Sequence, residues 1–151
     1  MPVLHIIAHN IRSRENVGSL FRIADALGVA KIWITGYTPA PGHNKLAKTA
    51  LGAEKFVPFE VALNVEEVIR DLKKREFRLL GLELDPRAVP LAEYRRPSEH
   101  IGLLLGNEVE GILPYLRDAC DDMVYIPQKG IKESLNVSVA AGIACYALML
   151  K

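Results

Sequence analysis

The run from Ser134 to Leu150 carries no charge and sets apolar side chains on nearly every side of a helix. Val139, Ile143, Tyr146, Leu148, Met149 and Leu150 point in many directions at about 100° per residue, and a helix of that kind is buried on more than one side. The run is shorter than the ~20 residues a bilayer span needs, and Asn136 and Ser138 fall near its start, so it is no membrane helix. A small domain meets the demand by placing such a helix between its own sheet and a second subunit, which predicts a homodimer. Just upstream, Ile126-Pro127-Gln128-Lys129-Gly130 reads as a strand end and a turn, and Ser134-Leu135-Asn136 leads straight into the helix. Polar groups at a strand-to-helix junction are where α/β proteins put ligands, because the first N–H groups of a helix lack internal partners.

The rest of the chain alternates strand and helix patterns. Val3 to Ala8 reads as a buried strand, and Asn16 to Leu27 as a helix with Leu20, Ile23, Ala24 and Leu27 on one face and Gly28 as its stop. Ala30 to Thr35 is the next strand, Tyr37 to Gly42 a Pro/Gly loop, His43 to Leu51 a short helix and Phe56 to Phe59 a short strand. An amphipathic helix over Val65 to Arg75, a strand over Phe77 to Leu84, a Pro-rich loop over Asp85 to Pro97 and a buried strand over Ile101 to Leu105 follow. Pro114 suits the first position of a helix reaching Ala119, and Met123 to Ile126 is the last strand. This order predicts an α/β fold, a mainly parallel sheet flanked by helices.

A chain of 151 residues with no internal repeat, low-complexity tract or linker is expected to form one domain over 1–151. The net charge of +1 neither requires nor excludes nucleic acid, since a local basic patch can hide in a neutral total. Cys120 and Cys145 have no metal-like spacing, and Met1-Pro2-Val3-Leu4-His5 has no secretory pattern, so a reduced, cytoplasmic setting is expected.

Three polar clusters stand out. The first, Asn10 to Arg22, follows the first strand and opens the first helix; Arg22 lies about 200° around that helix from Leu20, on a face with Gly18 and Asp25, where it can simply pair with Asp25 in solvent. The second, Leu103 to Gly111, sets two glycines around two carboxylates at a strand end; no Lys-Ser/Thr follows, so it is not a triphosphate loop, and a tight turn is the plain alternative. The third is the Ser134/Asn136 junction, which can equally be an N-cap. GxGxxG, GxSxG, HExxH and clustered metal ligands are all absent from the sequence, so no metal site is expected. His5, His9, His43 and His100 are dispersed, with His5 read as packing and His9 lacking an evident partner.

Together the clusters form NxRxxxNxGxxxR, LLLGNExEG and IPxxGxxxSLNVSVAAGI, in that order over almost the whole chain. This resembles the TrmH (SpoU) branch of the SPOUT RNA methyltransferases, enzymes dependent on S-adenosyl-L-methionine (AdoMet) that methylate the ribose 2′-hydroxyl of tRNA or rRNA. The resemblance implies a C-terminal deep trefoil knot and a homodimer. It implies AdoMet held largely by backbone at Leu82-Glu83, Leu105-Gly106-Asn107, Ile126-Pro127-Gln128 and Ser134-Leu135. It also implies catalytic roles: Arg22 acting on the attacking hydroxyl, Asn16 orienting the substrate, Glu108 fixing its motif, and Ser134 and Asn136 positioning Arg22 or the nucleotide. Arginine almost never loses its proton, so Arg22 can also serve by binding phosphate and stabilising a developing alkoxide.

Candidate RNA contacts are Arg12, Arg14, Lys45, Lys48, Lys129 and Lys132. Because the first motif begins at Asn10, no separate RNA-binding domain is expected before it. The smallest family members include wobble-position tRNA methylases, but their third motif tends to read SMNLSN where this chain has Ser-Leu-Asn-Val-Ser-Val. Both tRNA and rRNA stay open, with tRNA slightly favoured. The competing readings are a catalytically silent RNA-binding protein on the same scaffold and a small-molecule α/β enzyme using another nucleotide.

Overall fold

Val3–His9 (β1) is apolar on both faces and buried from Leu4 onward, which makes it a central strand of a sheet covered on both sides. The computed structural model describes residues 2–132 and 134–150. It places β1 in a sheet with Lys31–Thr35 (β2), Phe59–Ala62 (β3), Arg78–Leu82 (β4), Val89–Pro90 (β5), His100–Leu105 (β6) and Asp122–Tyr125 (β7). The order is β3-β2-β1-β6-β4-β7-β5, and every pairing is parallel. The helices are Arg14–Leu27 (α1), Asn44–Ala50 (α2), Val65–Lys74 (α3), Pro114–Ala119 (α4) and Val137–Leu150 (α5). Alternation along the strands divides the core: Leu4, Ile6 and Ala8 pack with α1, α2 and α5, while Ile7 packs with α3 and α4 on the other face.

From β1 the chain first builds outward through β2 and β3, then returns to lay β6 against the opposite edge of β1. The direction of winding thus reverses at β1 and β6, and such a reversal opens a crevice at the carboxyl ends of the strands. The loops after β4, β6 and β7 all emerge at that end.

Strand β4 is shorter than the Phe77 to Leu84 stretch expected for it, and three other elements depart from the sequence expectation, each for a local reason. Helix α1 begins at Arg14, two residues early, because the Ser13 hydroxyl accepts from the Asn16 N–H at 3.1 Å and caps it. Strand β3 begins at Phe59 because Ala53–Lys55 forms a 3₁₀ turn and Pro58, with no N–H to donate, can only precede the pairing. The Asp85–Pro97 stretch is not all loop: β5 pairs with β7, and a 3₁₀ turn over Leu91–Glu93 is held by buried Leu91 and Tyr94.

Helix α5 buries Ser138, Ala141, Ala144, Cys145 and Leu148, while Val139, Ile143 and Tyr146 on its other side are half exposed. No helix among the described residues is long and apolar enough to cross a membrane. Cys120 and Cys145 are free thiols, each pushed up to about 12 by burial. His5 is a packing residue: its Nδ1 accepts from the Trp33 indole at 3.1 Å, and burial drives its pKa down to about 4.

Candidate active site

The loops after β4, β6 and β7 meet the first turn of α5 around a cavity of about 520 Å³. That volume suits one nucleoside-sized ligand. Its wall is backbone folded back on itself. Asn107 and Gly111 exchange hydrogen bonds of 2.9 and 3.2 Å across a one-residue bridge. A Cβ on Gly106 would collide with the Gly111 carbonyl, and Gly111 itself sits at φ 69° against the Glu83 carboxylate, so both positions require glycine. Glu83 pins the two loops together, its carboxylate accepting from the N–H groups of Ile112 and Leu84 at 3.1 Å each.

At the mouth of the cavity one chain of hydrogen bonds joins all three sequence clusters. Glu108 accepts from the backbone N–H groups of Arg12 (2.9 Å) and Ser13 (3.0 Å) and from the Asn16 side-chain amide (3.0 Å). Desolvation pushes this carboxyl up, but the donated hydrogen bonds outweigh it and hold Glu108 below its usual range. A carboxylate can only accept, so Asn16 must turn its NH₂ toward Glu108, leaving its oxygen for the Asn136 amide at 3.1 Å. Asn136 in turn presents its oxygen to the start of α5, accepting from the Ser138 N–H (2.9 Å) and hydroxyl (2.6 Å). The N-cap and the site residue are therefore the same side chain. Asn107 makes a parallel tie, donating to the Asn10 carbonyl at 2.9 Å and the Tyr37 hydroxyl at 2.8 Å.

Arg22 stands apart. It is exposed on α1, makes no ion pair with Asp25 among the described residues, and does not line its own chain's cavity. Arg12, Arg14, Lys45, Lys48, Lys129 and Lys132 are all exposed. The first four lie on α1, its leading loop and α2, two helices in contact through Gly18, where a Cβ would strike Thr49 and the Leu46 carbonyl; Lys129 and Lys132 lie on the loop after β7.

Residues 3–146 match the model of the SpoU rRNA Methylase family. The chain belongs to that family. Among its relatives, the 23S rRNA (guanosine-2′-O-)-methyltransferase RlmB of Xanthomonas axonopodis pv. citri is 34% identical over 143 residues, covering 95% of this chain and 57% of the relative. The tRNA (guanosine(18)-2′-O)-methyltransferase of Aquifex aeolicus is 31% identical, covering 95% of this chain and 67% of the relative. A crystal structure of an AdoMet-bound rRNA methyltransferase from Sinorhizobium meliloti superposes with a TM-score of 0.88 at 26% identity, over 97% of this chain and 55% of the other. The chain spans about half the length of the curated RlmB relatives it matches.

In this SpoU methylase chain, the stretches assigned to the cofactor from sequence gather as a group. Leu82, Glu83, Leu105, Gly106, Asn107, Ile126, Gln128, Ser134 and Leu135 line the cavity, as do Glu108 and Asn136. Pro127 does not: it is exposed and stands outside the lining, between Ile126 and Gln128. Asn16 reaches the cavity only through Glu108 and Asn136. Sequence reading missed Val137 and Ala140; the helical i,i+4 spacing from Asn136 could have found Ala140. It also missed Arg117, whose place at the wall follows from how α4 packs and has no local signature.

Proposed function

We propose that this chain transfers the methyl group of AdoMet to a ribose 2′-hydroxyl of RNA. The observation that carries the reading is the Glu108–Asn16–Asn136 chain, which fixes three segments distant in sequence at the rim of one cavity. The cavity fits the cofactor in size. It also fits in charge, since among the described residues Glu83, Glu108 and Glu110 outnumber its one cation, Arg117, around a ligand that carries a sulfonium.

When bound, AdoMet supplies a methyl group already activated for transfer. The residues of the chain then have two tasks. Leu82-Glu83, Leu105-Gly106-Asn107, Ile126, Gln128 and Ser134-Leu135 would hold the cofactor through main-chain groups. Asn16 and Asn136 orient the ribose, and the Arg22 guanidinium binds phosphate and stabilises charge growing on the attacking oxygen. Because Arg22 does not line its own chain's cavity, it serves the cavity of a second subunit docked on the α1–α5 face. The trefoil knot belongs to the same reading, supported by family membership and by the convergence of the β4, β6 and β7 loops on one cavity.

The substrate is tRNA or rRNA, since relatives named for each match the chain. Arg12, Arg14, Lys45 and Lys48 provide the phosphate contacts, with Lys129 and Lys132 on the far side of the rim. The test is incubation with methyl-labelled AdoMet and unmodified tRNA or rRNA transcripts, followed by nucleoside analysis. Label in a 2′-O-methyl nucleoside is expected. Label on a base, or on no RNA, overturns the proposal.

A further inference from the structure

We infer that Tyr37 is a platform on which a nucleobase of the substrate RNA stacks beside the methylation site. The inference rests on the RNA-modifying reading above and adds a residue that none of the three motifs contains.

Tyr37 follows the end of β2, and its side chain is 57% exposed. An exposed tyrosine is ordinary; an exposed tyrosine held at both ends is not. Its hydroxyl accepts from the Asn107 amide at 2.8 Å, and its backbone N–H donates to the Asn10 side chain at 3.1 Å. Asn107 lines the cavity, so the ring bridges from the β2 end to the cavity rim.

The backbone under it is equally fixed. Gly36 stands at φ 61°, with no room for a Cβ against the Asn10 side chain, and Asn10 is itself at φ 55°. Thr38 ties the turn to β1, donating its hydroxyl to the Ala8 carbonyl at 2.9 Å and accepting from the Ile11 N–H at 3.0 Å. The ring thus has its orientation set before any ligand arrives, and a preset aromatic loses little freedom on binding.

What surrounds it points to nucleic acid. Arg12 and Arg14 follow Asn10 by two and four residues, are exposed, and have no ion-pair partner among the described residues. An aromatic face flanked by unpaired cations is the arrangement that recognises single-stranded nucleotides, with cations on phosphate and the ring on a base. A nucleotide whose ribose enters the site has its base drawn out of its own stack, and Tyr37 replaces one stacking neighbour.

The experiment compares the full chain with Tyr37→Leu and Tyr37→Phe. It reads AdoMet affinity by calorimetry, RNA KM by methyl transfer to tRNA and rRNA transcripts, and fluorescence of 2-aminopurine placed at and beside the methylated nucleotide. Tyr37→Leu is expected to raise the RNA KM about five- to a hundredfold, the range that follows from removing one base–aromatic stack. It leaves AdoMet affinity unchanged and abolishes 2-aminopurine quenching. Tyr37→Phe restores both KM and quenching. An unchanged KM in Tyr37→Leu overturns the proposal. So does equal loss in Tyr37→Phe, which would make the hydroxyl a strut for Asn107, and so does weakened AdoMet binding, which would make Tyr37 part of the cavity wall. Absence of transfer by the unaltered chain on either RNA would instead remove the parent reading, and this one with it.

Discussion

Glu108 does by hydrogen bonding what its sequence context hides. In the sequence it is one of two carboxylates in a glycine-flanked turn; in the fold it holds the start of α1 and orients Asn16. Glu108→Ala leaves two backbone donors and one amide without their acceptor and is expected to destabilise the fold by about 2 kcal/mol in urea unfolding. Its pKa lies lower folded than unfolded, so the unfolded chain binds the extra proton first. The stabilisation is therefore complete above about 4.5, the unfolded value, and is lost as pH falls through the folded one. The stability gap between the unaltered chain and Glu108→Gln is expected to be wide at neutral pH and to close in acid; a gap independent of pH would contradict the assigned charge. Arg22 is the converse case, a residue picked out by its motif that forms no ion pair or side-chain hydrogen bond among the described residues. Arg22→Ala leaves no cavity, so AdoMet binding and thermal stability are expected to persist while methyl transfer falls about a hundredfold or more. Near-full transfer by that variant would remove its role.

The elements were mostly legible because strand and helix periodicity is local. The boundaries of β2, α3, α4 and β6 fall within a residue or so of where the apolar pattern puts them. Strand β3 slipped by three residues because the 3₁₀ turn over Ala53–Lys55 and Pro58 delay its start, and β5 was invisible because two residues carry no period. The cavity wall was legible through its glycines, but the reason for them was not. Gly106 falls in a stretch that the resemblance assigns to AdoMet, whereas the group pressing on it is the chain's own Gly111. Gly106→Ala must therefore push the Gly106–Gly111 turn apart, at a cost of roughly 1–3 kcal/mol, and weaken AdoMet binding with it. Gly130, where an added methyl group would meet nothing within 4 Å and the backbone angle is ordinary, is the matched control. Calorimetry should show AdoMet affinity lost in Gly106→Ala and kept in Gly130→Ala; equal affinity in both would mean that the bridge between Asn107 and Gly111 does not shape the site.

At the scale of the whole molecule, the outer face of α5 is where the proposed dimer would form. Its inner face completes the core, yet Val139, Ile143 and Tyr146 are 50%, 42% and 57% exposed and, with Ile23 of α1, line a shallow apolar groove. Burying a large apolar side chain fully is worth about 1.5–3 kcal/mol, and these are already half buried, so a two-fold contact that covers them on both subunits contributes about half of that for each side chain. Part of that gain is offset by lost rigid-body freedom, which leaves a dimer sensitive to single changes. Ile143→Glu puts a charge at the centre of the contact while its own subunit leaves that side chain nearly half exposed, so the fold is expected to survive and the dimer to weaken by a hundredfold or more. Sedimentation at micromolar concentration should show a dimer for the unaltered chain and a species of 16.7 kDa for the variant. Arg22 adjoins Ile23 on α1, so the same variant should lose methyl transfer while AdoMet still binds, as expected if each cavity uses an arginine from the other subunit. A monomeric unaltered chain would overturn the dimer, and a monomeric variant with full transfer would show that each cavity works alone.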